Sequence, residues 1–437
     1  MENGVIEAKY PIIFRQAEAR ELGQHLKTRQ SVVLIGMKRV GISNFLRFFI
    51  YHKDIAKTYI ADSKKHLFIP VDLNDLVELE VFPFWTLTLK RVVDTVEKSD
   101  LGKEVKKKIE TLFLDSIQSQ DLFLTIDSVR KSLVELVDNG ILPTLFFIRF
   151  DRMKSATTPE FFANLQGLKD ATSQKLSYVF TSSRSLDALD KDVFTKASLS
   201  VFSKDIYIKP AKREDTKIVF KTYEDRYKLK LSPEIERAFF DVVDGYVQYL
   251  QLALIYLHES RTPVNKKEVF FDSLAKDERI GLQSEELWDS LGEQEKNVLT
   301  KVARKETVSS EDREKAKYLW DTGFLSEENG SLKIFSPLLD SYIGGQENKP
   351  SNHTIELTKK ENILFNFLKE NSNEICEREQ IVGAVWPEVE SLGVSDWAID
   401  RLVARVRSKL KLQDSMYEIQ TIKTRGYKLL SSERSAK

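Results

Sequence analysis

Two stretches of this chain bring together residues whose types and spacing could do chemistry. The first runs from Ser31 to Phe49, SVVLIGMKRVGISNFLRFF. Gly36 and Gly41 are separated by five positions, Lys38 and Arg39 lie between them, and Ser43 follows. Glycines so placed let backbone N–H groups curl round a phosphate, and a helix starting behind them adds positive potential. The hydroxyl of Ser43 suits a magnesium ion. The residue after the second glycine is where a lysine would reach the terminal phosphates, and here it is Ile42. Losing that ammonium removes a charge-assisted contact of about 1.5–3 kcal/mol. Lys38 and Arg39 bring charge to the loop from different starting points.

The second stretch lies between Asp396 and Leu430. Ile399, Leu402, Val403, Val406 and Leu410 recur at the spacing of one helix face, and Arg401, Arg405, Arg407 and Lys409 fall on the other. A β-rich run follows, with Arg425-Gly426-Tyr427 reading as the basic tip of a hairpin. From Arg401 to Lys428, eight Lys/Arg stand against two acids, Asp414 and Glu418. A helix with an arginine face and a basic hairpin suit a DNA duplex, the helix in the major groove and the hairpin on the backbone or in the minor groove. A solvated helix face beside an ordinary hairpin has the same local pattern, so the wider sequence has to decide.

The elements that position these residues are legible as patterns. Val32–Ile35 is a short apolar run fit for a buried parallel strand, and Phe45, Leu46, Phe48 and Phe49 give the following helix its apolar side. Leu145–Arg152, LFFIRFDR, reads as a second buried strand. Charged amphipathic helices fill the stretch between 75 and 140, closing at Asn139-Gly140. Leu287–Ile343 reads as two or three helices and a hairpin turning at Asn329-Gly330, with the helix EDREKAKYLWD too acidic for DNA contact and suited to a packing or spacer role. The run from Gly344 to Asn352 is small and polar, which reads as a linker.

Composition bounds the rest. A chain of 437 residues is too long for one ordinary core, and 41% hydrophobic with 31% charged residues describes a globular protein. Lys+Arg and Asp+Glu are both 67, so nucleic-acid affinity has to come from local patches. The single Cys376 excludes an internal disulfide and a cysteine zinc cage; it reads as a half-buried, inert thiol in a helical stretch. No run of about eighteen apolar residues is present that would span a bilayer, and no leader pattern opens the chain.

The wider pattern carries two resemblances. LTKKE, EREQIVGAVW, DWAIDRLVARVRSKL and TIKTRGYKL stand in the order and spacing of the OmpR/PhoB-type winged-helix effector domain. That resemblance implies that the Asp396–Leu410 helix reads bases and that the hairpin around Arg425 is the wing. Arg401 and Arg405 stand about one turn apart on the exposed face, and either would suit a guanine edge. Arg407 and Lys409 would divide between phosphate contacts and salt bridges, for instance with Asp400. Trp386 and Thr421 would touch backbone phosphates, with a core position as the other reading of Trp386. Lys423 would make a sequence-independent contact, Arg425 would enter the narrow minor groove, and Tyr427 belongs to the same wing.

The N-terminal part resembles the STAND-type ATPases, a branch of the AAA+ superfamily. PIIFRQAEARELGQHLKTRQ looks like their lead-in helix, LSYVFTSSRSL like the sensor strand ending in polar residues and Arg184, and DGYVQYLQLALIYL like the lid helix. Laid onto the hydrophobic-Asp-Glu-Phe-Asp motif, LFFIRFDR puts Ile148 at the magnesium-binding acid and Arg149 at the catalytic acid, and keeps only Asp151. Asp72 and Asp75 read as loop residues. Tyr246-Val247 replaces the nucleotide-sensing His-Pro pair. The resemblance therefore implies a retained fold without hydrolysis, a pseudo-ATPase, with Gly36, Lys38, Arg39, Gly41, Ser43, Asp151 and Arg184 as the residues round any bound nucleotide. No cofactor is required by this reading; the loop leaves ATP and magnesium open as ligands.

The expected architecture is multidomain, α/β plus α+β. A P-loop parallel-sheet domain (1–209) with a helical lid (210–280) is followed by a first winged helix (281–345), a linker (346–353) and the OmpR/PhoB-type winged helix (354–437). The expected function is that of a sequence-specific, double-stranded DNA-binding transcription regulator. It would be cytoplasmic, bacterial and nucleoid-associated, with self-association on direct repeats and a protein or small-molecule effector as further partners, and no membrane. The other reading is a nucleotide-switched DNA-binding ATPase.

Overall fold

The structure is a computed structural model that describes residues 5–60, 65–189, 193, 203–229, 231–259, 267–346, 357, 359–386, 396–412, 416–422 and 425–431. The chain divides into two compact units, Met1–Gly344 and Gly345–Lys437.

The first unit is built on five strands: β1 (Val32–Ile35), β2 (Lys65–Asp72), β3 (Ile141–Ile148), β4 (Ser177–Ser182) and β5 (Lys204–Tyr207). They lie in the order β2-β3-β4-β1-β5, and every neighbouring pair is parallel. A parallel sheet needs helices on both faces, which is why β1 is buried at all four positions and β3 at seven of eight. Val32 and Leu34 join a core with Phe45, Phe48 and Phe49. Val33 and Ile35 point the other way, to Phe84, Trp85 and Phe147. That alternation is the period of a strand covered on both sides.

The helix behind the glycine loop, Ile42–Tyr51, buries Phe45, Leu46, Phe48 and Phe49. The core below it continues without a break into the helices Pro233–Val243 and Val247–Glu259, and on to Leu299, Phe324 and Phe335 of a helix–helix–hairpin segment. That segment holds the helix Glu293–Ala303 and two strands, β6 (Leu325–Glu328) and β7 (Ser331–Ile334), joined through left-handed Asn329 (φ +52°) and Gly330 (φ +78°), as the Asn-Gly turn signal predicts. EDREKAKYLWD does not form one helix: it breaks into Ser310–Lys315 and Tyr318–Asp321. The helix Pro337–Gln346 runs through Gly344-Gly345, where the sequence suggested that a linker begins. The rest of the expected linker lies outside the described residues.

The second unit packs three helices, Lys359–Glu370, Arg378–Val385 and Asp396–Leu412, on a small antiparallel sheet in the order β8-β10-β9. Its strands are β8 (Cys376–Glu377), β9 (Tyr417–Ile422) and β10 (Gly426–Ser431). Cys376 is therefore in a strand rather than a helix, and it is buried, with its thiol pKa pushed up by that burial. Two residues are too short a strand to leave a period in the sequence. Gly426 opens β10 at φ +149°, where a Cβ would lie 2.0 Å from the Cys376 carbonyl oxygen. A glycine is required for that close pairing. Among the described residues no helix is long and apolar enough to cross a membrane.

Candidate functional site

The glycine loop sits at the C-terminal ends of β1 and β4. The chain leaves β1 for the far edge at β2, and leaves β4 for β5 on the other side. Where crossovers diverge in this way a crevice opens above the sheet, and here it is a cavity of about 550 Å³ lined by the loop from Gly36 to Asn44. Gly36 donates its N–H to the Ser182 carbonyl at 3.4 Å. Gly41 has φ +109°, and a Cβ on it would lie 2.7 Å from Val247 Cγ2. Val247 opens the helix Val247–Glu259, which approaches the loop closely at this point.

Ser43 lines the cavity, half-exposed. Across from it, β3 ends in half-buried Ile148. Arg149 follows in a left-handed backbone (φ +62°), with its N–H on Thr181 Oγ1 at 2.7 Å. Its guanidinium grips Asp72, at 2.5 Å to Oδ2. Asp72 is not a loop residue as expected: it ends β2, in register with Ile148. Asp151 lines the cavity and accepts a hydrogen bond from Ser183 Oγ at 3.0 Å. A hard divalent cation wants several oxygen ligands. The end of β3 carries an isoleucine, Ile148, followed by an arginine, Arg149, paired with Asp72. Ile148 and Arg149 offer no oxygen side chain to magnesium, which leaves Ser43 and Asp151 as the oxygen donors of the cavity, and among the described residues no three His, Cys, Asp or Glu cluster to hold a metal ion by themselves.

Lys38 and Arg39 are at the cavity as expected, but a protein carboxylate has reached them. Glu286 lies 3.0 Å from Arg39 Nε and 3.9 Å from Lys38 Nζ. Arg184 does not line this cavity; it donates to Glu295 at 2.6 and 2.8 Å and to the Ser290 carbonyl at 2.8 Å, and stacks 3.6 Å over the Tyr318 ring. Burial works against its charge, and the Glu295 carboxylate more than offsets that, so its pKa lies above the ordinary guanidinium value. Arg184 thus ties the end of β4 to the helix–helix–hairpin segment.

In the second unit the helix Asp396–Leu412 buries Ile399, Leu402, Val403, Val406 and Leu410, the stripe read from the sequence. The basic residues do not share one exposed face. Arg405 and Lys409 turn to one flank, where Glu361 of the first helix, fully buried, lies 2.9 Å from Arg405 Nε and 2.6 Å from Lys409 Nζ. Arg407 turns to the other flank and holds the wing, donating to the Ile419 carbonyl at 2.9 Å and to Thr421 Oγ1 at 3.0 Å. Asp400 is paired with neither Arg407 nor Lys409; it meets Arg378 at 2.5 Å and accepts from the Tyr427 hydroxyl. Opposite the buried stripe stand Arg401, Ala404 and Ser408, spaced three and four residues apart.

Trp386 is 7% exposed and packs in the core, as the second of its two readings has it. Tyr427 is 3% exposed, and burial followed by the Asp400 hydrogen bond pushes its pKa up; it braces the wing instead of presenting itself to a ligand. Thr421 and Arg425 are exposed on the hairpin, Arg425 with its N–H on the Ile422 carbonyl at 3.1 Å. Lys423 lies outside the described residues. The sequence offered no local sign of Glu361, Glu286 or Arg378, whose partners lie tens to hundreds of positions away.

The second unit is an OmpR/PhoB-type winged helix, and the first carries the strand, glycine loop and helix of a P-loop α/β module. The family described as "Transcriptional regulatory protein, C terminal" matches residues 352–429. The response regulator ArlR of Staphylococcus aureus (strain Mu50) is 40% identical over 76 residues, 17% of this chain and 32% of its own length. The chain thus spans about a third of the length of the curated relatives it matches. Among solved structures, a Walker-type ATPase of Pyrococcus abyssi aligns over 76% of this chain and 96% of its own, with 17% identity and a TM-score of 0.48. The ORC1 protein of Aeropyrum pernix in complex with DNA aligns over 98% and 91%, with 10% identity and a TM-score of 0.41.

Proposed function

We propose that this chain is a sequence-specific, duplex-DNA-binding transcription regulator whose P-loop module does not hydrolyse nucleotide. The observation that carries the reading is the stripe Arg401–Ala404–Ser408 on a helix held on both flanks, by Glu361 on one side and by Arg407 and the wing on the other. A helix fixed in this way presents one narrow row of side chains to base edges, with Arg401 suited to a guanine. Arg425 on the wing supplies backbone or minor-groove contact. The P-loop module serves sensing, scaffolding or self-association, since neither Ile148 nor Arg149 can hold a metal or activate water. Side-by-side binding on direct repeats and an effector acting on the first unit complete the reading, which places the protein on the bacterial nucleoid.

The test is recovery of genomic duplex fragments by the full chain at near-physiological salt, with phosphate release from ATP followed in parallel. A discrete set of upstream fragments and no release above the protein-free blank are expected. Recovery in proportion to fragment length would overturn the specific reading, and DNA-stimulated phosphate release would overturn the pseudo-ATPase.

A further inference from the structure

We propose that Glu286 is the resident anion of the glycine loop, and that a ligand of the phosphate class enters the cavity by displacing it, without a metal ion. This rests on reading Gly36–Ser43 as a phosphate loop and is independent of the DNA reading.

Glu286 projects from the helix Glu278–Asp289 into the cavity, and its carboxylate takes the two cations the loop offers, Arg39 at 3.0 Å and Lys38 at 3.9 Å. A carboxylate and a phosphate oxygen make the same demand on these groups, so the two compete. Arg39 is held in a left-handed backbone, φ +61°, a conformation that a long side chain adopts where its surroundings impose it. The same helix also grips the loop backbone. Gln283 Nε2 donates to the Tyr246 hydroxyl at 2.8 Å, and that hydroxyl donates to the Lys38 carbonyl at 2.7 Å. Side chains and main chain of the loop are thereby tied to one element.

Buried positive charge also lies behind the loop. Arg15 is 1% exposed, and its Nη2 has no hydrogen-bond partner among the described residues. That nitrogen lies 3.9 Å from the point where a Gly41 side chain would begin, at the start of the loop helix. Its other terminal nitrogen donates to Glu18 and to the Lys209 carbonyl, both at 3.0 Å, so Arg15 places a paired but buried positive group behind the start of the loop helix.

Displacement has a built-in consequence. The helix bearing Glu286 leads directly to Ser290, whose carbonyl accepts from Arg184, and to Glu295, the other partner of Arg184. A ligand that evicts Glu286 therefore acts on the element joining the loop to the helix–helix–hairpin segment. The cavity, about 550 Å³, has the size of a nucleotide-class site. The chemistry specified is a di- or triphosphate, whether inorganic or carried on a nucleoside.

The experiment is calorimetric titration of the full chain with inorganic pyrophosphate and with ATP, both in EDTA. Comparison is made between the wild type, Glu286→Gln, Glu286→Asp, and Glu286→Gln combined with Lys38→Ala and Arg39→Ala. Glu286→Gln should tighten pyrophosphate by about tenfold or more, the scale of one charge-assisted contact. Glu286→Asp, which keeps the charge, should gain less, and the triple variant should lose the gain. ATP binding much tighter than pyrophosphate identifies a nucleoside polyphosphate as the ligand, and equal binding identifies the phosphates alone. No gain in either Glu286 variant, or a gain that survives loss of Lys38 and Arg39, overturns the proposal. Either failure leaves the genomic-fragment result untouched, so the two readings fail separately.

Discussion

The glycine loop and the helix Asp396–Leu412 present the same kind of sequence, a row of cations on a helix or loop, and resolve it in opposite ways. At the loop, Glu286 closes over Lys38 and Arg39, so the protein's own carboxylate sits in the site. In the winged helix, Glu361 takes Arg405 and Lys409 from the flank, and half-buried Arg401, half-buried Ala404 and exposed Ser408 lie opposite the buried stripe. One acid occupies a site and the other frames one. Counting basic residues cannot separate these cases; the position of the partner acid does.

The largest effect that would break this comparison is at Glu361. Removing one partner from a fully buried pair costs about 3–5 kcal/mol. Arg405 and Lys409 are 21% and 25% exposed and can turn toward water, so Glu361→Ala should cost less, about 2–3 kcal/mol. Hydrogen exchange of amides in the Asp396–Leu412 helix reports it, and unchanged protection would mean that Glu361 frames nothing.

Next comes the contrast between Arg401 and Arg405. Arg401→Ala should relax specificity at a single base position by roughly 1–3 kcal/mol. Arg405→Ala should weaken cognate and scrambled duplexes alike, because it loosens the helix. Competition binding with singly substituted duplexes separates them, and a base-selective loss for Arg405→Ala would reverse the assignment. At the wing, Arg425→Ala should lower affinity for every sequence and reduce the salt slope of log K by about 1; an unchanged slope in a salt titration would remove Arg425 from the backbone. The smallest expected effect is at the loop hydroxyl. If magnesium has no role, Ser43→Ala should stay within about 0.5 kcal/mol of wild type in chemical denaturation and leave DNA affinity unaltered by ATP and magnesium. An ATP-dependent affinity that vanishes in Ser43→Ala would restore the nucleotide switch.

What the sequence made legible was local. The run Val32–Ile35, the two glycines, the apolar stripe from Ile399 to Leu410 and the Asn329-Gly330 turn each rest on spacing within a few residues, and each stands in the structure as read. The contacts of Arg405, Lys409, Arg184 and Trp386 were not legible. Each depends on a partner brought close by the fold, Glu361 for the first two, Glu295 and Tyr318 for Arg184, and the packed core for Trp386. Periodicity places a residue on a face and says nothing of which acid the fold brings to it. Arg15 had a weak sign, an arginine after Ile12, Ile13 and Phe14, but its burial beside Gly41 follows only from the packed structure.

The most direct measurement is selection of random duplex DNA on the full chain at near-physiological salt, with and without ATP and magnesium. The account predicts one enriched motif, the same in both arms, with Arg401→Ala degenerate at one of its positions. No motif, or a motif that emerges only with ATP and magnesium, would contradict it.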